Sequence, residues 1–169
     1  MDEPAGFRDY VAARQRALLR SAWLLTGDWH AAEDIVQAAL VRVWPRWNRV
    51  VAGGDPDAYV RRAVVNVFLT VRRRRWHGEY ASATPPDRPD PVDPYAAVEL
   101  RDTLARVLPA LGRRQRAVVV LRYFDDLTEA QVAEIMGCSV GTVKSQSAKA
   151  LAKLRAVLGP YERILEEAS

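Results

Sequence analysis

Metal-ligating and disulfide-forming side chains are scarce in this chain. Its one cysteine, Cys138, cannot form an internal disulfide, which argues against a secreted domain stapled by bridges. With only His30 and His77 beside it, the chain lacks the ligands of a structural zinc site. Long apolar runs are missing too. Ala117-Val-Val-Val-Leu121 is typical of those present, against the roughly 20 residues that cross a bilayer. The opening Met1-Asp-Glu-Pro-Ala-Gly6 is acidic where a signal peptide would be basic and then apolar, so a cytoplasmic protein is expected. No glycine-rich phosphate loop appears, and neither a cofactor nor a metal is expected.

What remains is the composition of a folding protein. Of 169 residues, 49% are hydrophobic and 27% charged, enough for one domain or two small ones. The formal charge is +4, a balance that suits a polyanionic partner without requiring one. Five of the ten prolines (Pro85, Pro86, Pro89, Pro91, Pro94) fall within 77–98, interleaved with Asp87, Asp90 and Asp93. Such a stretch cannot continue a helix and reads as an extended, flexible linker. Charge divides at the same place. Residues 1–76 carry 13 basic and 8 acidic side chains, 77–98 carry 1 and 4, and 99–169 carry 11 and 9. Two basic modules therefore flank an acidic tether.

Both modules read as helical, because apolar residues recur at spacings of three and four and strand-like alternation is missing. A first helix is expected over about Phe7–Leu25, ended by Gly27-Asp28. In Ala31–Trp47 the apolar stripe is Val36, Leu40, Val43, Trp44 and Trp47, and both tryptophans are expected in the core. In Pro56–Arg75 it is Val60, Val64, Val67, Phe68 and Val71, behind Asp55 as N-cap and Pro56 at the first helical position. In Glu99–Leu108 it is Leu100, Leu104, Val107 and Leu108, closed by Pro109. The fold class is all-α: two small helical domains, 1–76 and 99–169, joined by the Pro/Asp-rich linker 77–98.

The sharpest local signal lies between Leu127 and Ser147. Thr128 with Gln131 three residues on forms a capping box, Gly137 can take the left-handed conformation of a tight turn, and Ser139 can cap the next helix. Ala133, Gly137 and Val143 are spaced as two crossing helices require, small where the helices meet and apolar where the second plugs onto the first. This is a helix-turn-helix. The second helix, Val140–Leu158, has the stripe Val143, Ala150, Leu151, Leu154, Val157 and Leu158. Its exposed start carries Thr142, Lys144, Ser145, Gln146 and Lys149, short polar groups for base edges and lysines for phosphates.

The N-terminal module carries a second unusual face. At 100° per residue, the helix after Ala32 sets Asp34, Gln37, Ala38 and Val41 together, opposite its core stripe. Small apolar residues mixed with a carboxylate and an amide suit docking to another protein, although a solvated face fits the same residues. The following helix aligns Arg62, Asn66 and Arg73 on its outer side and ends in four consecutive arginines, Arg72 to Arg75, with Tyr59 and Trp76 nearby. Guanidinium groups interleaved with aromatics suit single-stranded nucleic acid.

Nothing comparable points to catalysis. Asp125-Asp126 is expected as a solvated loop ahead of Thr128, His30 in the first turn of a helix, and Cys138 as a small buried side chain in the turn. The chain is therefore not expected to be an enzyme.

Three segments together, Asp34-Ile-Val-Gln-Ala-Ala-Leu-Val-Arg-Val-Trp44, Asp57-Ala-Tyr-Val-Arg-Arg-Ala-Val-Val-Asn66 and Ser139-Val-Gly-Thr-Val-Lys-Ser145, resemble the extracytoplasmic-function (ECF) sigma factors of the sigma-70 family, in particular their actinobacterial sigma-E-like members. The resemblance implies an RNA polymerase sigma factor that binds core polymerase and recognises and opens promoter DNA. Asp34, Gln37, Ala38 and Val41 would meet the polymerase clamp helices. Arg62, Asn66 and Arg73, with the loop 50–55, would melt and read the minus-ten element. Thr142, Lys144, Ser145, Gln146 and Lys149 would read the minus-thirty-five element, on a domain packed against the polymerase flap, and the linker would thread the polymerase cleft. The resemblance also leaves room for an anti-sigma factor. Two positions depart from the pattern: Ala38 replaces a frequent second acidic residue, and Gln146 a frequent arginine. The alternative is a stand-alone helix-turn-helix regulator, although the receiver-like strand and helix alternation of many such proteins is missing. The short stretch after Gly159 leaves no space for a large C-terminal extension.

Overall fold

The computed structural model describes residues 2–71 and 102–159. Among these, every regular element is helical and none is a strand. Helix α1 spans Phe7–Thr26 and stops where Gly27 turns left-handed, with φ +74°. Asp28 then caps α2, Trp29–Val43, accepting from the backbone N–H groups of His30 and Ala31. His30 accordingly sits in the first helical turn. Pro45 cannot donate to the helical ladder, so the chain tightens into a 3₁₀ turn at Trp44–Arg46 before α3, Trp47–Ala52. Gly53 and Gly54 form the loop to α4, Pro56–Thr70, which Asp55 caps by accepting from Ala58 N–H at 3.0 Å.

Helix α4 ends earlier than the periodicity suggested. Val71 is already extended, and the continuation to Arg75, with Arg73 and Trp76, lies outside the described residues. The linker 77–98 and the stretch after Gly159 lie outside them as well.

The N-terminal core follows the stripes. Val36, Leu40, Val43, Trp47, Val60, Val64, Val67 and Phe68 are buried. Trp44 is only half-buried, packed edge-on against Phe7 at 4.9 Å between ring centroids. Val65, absent from the expected stripe, is buried as well, because α4 is covered on two sides.

The C-terminal group begins with a short helix over 102–107 (α5) and a 3₁₀ turn, Leu108–Ala110, around Pro109. Helix α6, Arg113–Val119, widens into a π-turn at Val120–Phe124, where Asp125 N–H reaches back five residues to Val120 O. Helices α7, Glu129–Met136, and α8, Val140–Leu158, complete the group. Val157 departs from the expected stripe: it is 51% exposed, while Ser147, one turn from Val143, takes the buried position instead.

The two groups are in contact. Helix α4 packs against α7 and α6, and α1 against α6 and the π-turn, so one continuous hydrophobic cluster runs from Phe7 to Leu158.

Candidate nucleic-acid and polymerase interfaces

The helix-turn-helix is built as its residues require. Thr128 accepts from Gln131 N–H at 3.2 Å while the Gln131 side chain accepts from Thr128 N–H at 2.9 Å, a reciprocal capping box. Gly137 closes α7 at φ +64°. A Cβ there would meet nothing within 4 Å, so the demand on this position is conformational and not steric crowding. Gly137→Ala should therefore destabilise the chain by roughly 1–2 kcal/mol, read as a lower urea midpoint. Ser139 caps α8 by accepting from Thr142 N–H at 3.1 Å. Ala133 and Val143 are buried at the crossing.

That crossing turns one side of α8 to solvent. Thr142, Lys144, Ser145 and Lys149 are exposed and Gln146 is half-buried. Lys144 lies 3.8 Å from Glu129, an exposed pair that contributes little and leaves the ammonium free to exchange partners. Cys138 is half-buried against the core in the turn.

On α2, Asp34, Gln37 and Val41 are exposed and Ala38 is half-buried, so the four share a solvent-facing side. Val41 is 69% exposed, the most open large apolar residue among those described. On α4, Arg62 and Asn66 stand exposed one turn apart, and Arg73 lies outside the described residues. Arg62 borders a cleft of about 820 Å³ between the two helix groups. Arg46, Arg49, Arg61 and Tyr59 join it there from α4 and the turn before it, and Gln131 and Glu134 of α7 form the far wall. Arg46, Arg49 and Arg61 were not singled out from the sequence. Their signal was available as four arginines within positions 46–62, but the run at 72–75 is denser.

One expectation is corrected. Asp126 is exposed, but Asp125 is not part of a solvated loop: it accepts from Ser21 Oγ on α1 at 2.5 Å, and burial raises its pKa above the usual carboxylate range against the pull of Ser21, Arg61 and Arg20. Among the described residues, no group of three or more His, Cys, Asp or Glu side chains could hold a metal ion, and no helix is long and apolar enough to cross a membrane.

Residues 10–78 match the description "Sigma-70 region 2" and residues 101–154 "Sigma-70, region 4". The chain is 39% identical to the RNA polymerase sigma-E factor of Streptomyces coelicolor, over 92% of its own length and 87% of that protein. It is 31% identical to the ECF RNA polymerase sigma factor SigL of Mycobacterium tuberculosis, over 92% of its length and 90% of the relative's. The chain belongs to the ECF group of the sigma-70 family. A matching region 2 ahead of the helix-turn-helix sets aside the stand-alone regulator. In this ECF sigma factor, region 2 takes in most of α1 and all of α2 to α4, and region 4 takes in α5 to α7 and most of α8. The fold is shared with the sigma factor RpoE of Bartonella quintana, solved with the anti-sigma factor NepR, at a TM-score of 0.72 over 92% of this chain and 98% of that one, with 24% identity. It is shared too with CnrH, solved with the cytosolic domain of CnrY, at a TM-score of 0.63 over 90% and 86% of the two chains.

Proposed function

We propose that this chain is a cytoplasmic, non-catalytic initiation factor that directs core RNA polymerase to promoters through two separately specialised modules, 1–76 and 99–169, tethered by 77–98. The α2 face of Asp34, Gln37, Ala38 and Val41 docks on the polymerase clamp helices. Arg62, Asn66 and Arg73, with residues 50–55, which the structure forms as the end of α3 and the turn after it and not as the loop expected, hold unpaired bases of the minus-ten element. Thr142, Lys144, Ser145, Gln146 and Lys149 read the minus-thirty-five element in the major groove, while their module rests on the flap.

The observation that carries this reading is the pairing, in order along one chain, of a solvent-facing apolar and acidic helix side with a capped, basic helix-turn-helix. An aliphatic side chain as exposed as Val41 has no role in the chain's own core and suits a partner surface. Energetically, unstacking bases costs a few kcal/mol, and contacts worth about 1–3 kcal/mol per base offset it. Two weak modules become specific only when one platform holds both.

In run-off transcription, core polymerase plus this chain should start from a cognate promoter, and the chain alone should bind the same DNA poorly in a gel shift. Asp34→Ala and Val41→Arg should weaken capture of core polymerase about tenfold or more, with the fold intact by circular dichroism. Undiminished capture would remove that face from the reading, and tight, specific promoter binding by the isolated chain would remove the platform.

A further inference from the structure

Four guanidinium groups gather on one wall of the cleft without partners. Arg46 and Arg49 reach it from the 3₁₀ turn and α3, and Arg61 and Arg62 from α4. Among the described residues, none of the four makes a hydrogen bond or an ion pair. The carboxylates on the same wall are committed elsewhere. Asp57 pairs with Arg14 at 2.7 Å, and Asp55 accepts from Ala58 N–H as the cap of α4. Like charges gathered without a counter-ion repel one another, and an anion seated among them relieves that. Guanidinium groups meet phosphate oxygens two bonds at a time, so this wall suits a group carrying more than one phosphate.

The cleft measures about 820 Å³, within the roughly 300–1,000 Å³ of small-molecule sites. Its remaining lining suits a base. Tyr59 is 38% exposed and offers a ring face for stacking. On the far wall Gln131 and Glu134 are exposed and three residues apart, neighbours on one side of α7. Gln131 Oε1 is occupied by Thr128 N–H in the capping box, so the amide offers the cleft its NH₂ group, a donor. The Glu134 carboxylate is an acceptor only. A donor beside a carboxylate matches the edge of guanine, where O6 accepts and both N1–H and the N2 amino group donate. Adenine has one donor on that edge.

We propose that the cleft is a binding site for a guanine nucleotide with two or more phosphates. The phosphates lie among Arg46, Arg49, Arg61 and Arg62, the base stacks on Tyr59, and its edge meets Gln131 and Glu134. Arg62 also belongs to the face proposed above for unpaired DNA, so nucleotide and strand exclude one another, a consequence that rests on that reading.

The test titrates guanosine diphosphate, adenosine diphosphate and inorganic pyrophosphate, each with two phosphates, into the full chain by isothermal titration calorimetry. The guanine nucleotide should bind one to one, about tenfold more tightly than pyrophosphate and about fivefold more tightly than the adenine nucleotide. Arg46→Ala with Arg49→Ala should weaken all three about tenfold, with helical content unchanged by circular dichroism because both side chains are exposed. Glu134→Gln should weaken the guanine nucleotide about tenfold and leave pyrophosphate unchanged. Equal affinity for the guanine nucleotide and pyrophosphate, or indifference to Glu134→Gln, would overturn the site. So would the absence of saturable binding at about 1 mM guanosine diphosphate. The titration involves neither polymerase nor DNA, so its failure would leave the sigma-factor reading standing, which run-off transcription tests separately.

Discussion

Val143→Asp should abolish the helix-turn-helix as a folded unit. Val143 is fully buried in the crossing of α7 and α8, beside the equally buried Val132. The three cationic groups that α7 and α8 carry before Leu154, on Lys144, Lys149 and Lys153, all stand on exposed positions, so none is placed to pair with a carboxylate at the crossing. A buried, unpaired carboxylate is among the few single changes that cost more than about 4 kcal/mol, against a total stability of roughly 5–15 kcal/mol for a domain. Circular dichroism should show loss of the C-terminal helices, and promoter-specific initiation should vanish with them. The matched control is Val41→Asp, at a position 69% exposed, where the change in stability should stay within about 0.5 kcal/mol. A Val143→Asp chain that melts like wild type would mean the crossing is not packed as described.

The second large effect is expected at Arg116. Burial pushes its pKa down to about 10, so the side chain remains a cation at neutral pH although its surroundings penalise the charge. What retains it there is the end of α1, through the bond to Leu24 O. In Arg116→Glu, a carboxylate would face the last carbonyls of α1, negative against negative, with no donor to offer. Loss of the bond and the reversed charge together should cost the contact between modules about 3–5 kcal/mol, the range for an uncompensated buried charge. Each helix group keeps its own packing, so the expected result is an open chain and not an unfolded one. Helical content should be largely retained, solution scattering should report a larger radius of gyration, and urea unfolding should broaden into two steps. A single sharp transition at the wild-type midpoint would show that Arg116 does not hold the modules together.

Much of this architecture was legible from local chemistry. Helix boundaries at Gly27 and Asp28, the Asp55 cap, the Thr128 and Gln131 box and the left-handed Gly137 are each decided within four residues, so short-range reasoning reaches them. The buried stripes were legible for a similar reason, since a helix of 3.6 residues per turn must turn its apolar side to a core. Errors arose where a third element intervenes. Val65 is buried because α4 is covered on two sides, and Val157 is exposed because it lies off the buried line of Val143, Ser147, Ala150, Leu154 and Leu158 along α8. The outward side of α2 was visible as a pattern, and the structure adds how open Val41 is.

Sequence alone therefore determined the longer helices, their caps, the helix-turn-helix and the family, because those rest on spacings of a few residues or on motifs in order, whereas the short helices α3 and α6 and the π-turn after α6 were not read from it. Tertiary structure alone decided what joins the two halves. Asp125 meets Ser21 across 104 positions and Arg116 meets Leu24 across 92, and no periodicity or spacing rule connects residues so far apart. The same holds for the arginine-lined cleft, whose opposite wall comes from a helix beyond the linker. A cap supplied by the next residue is written in local order, whereas a cap supplied by another module exists only once both have folded and met.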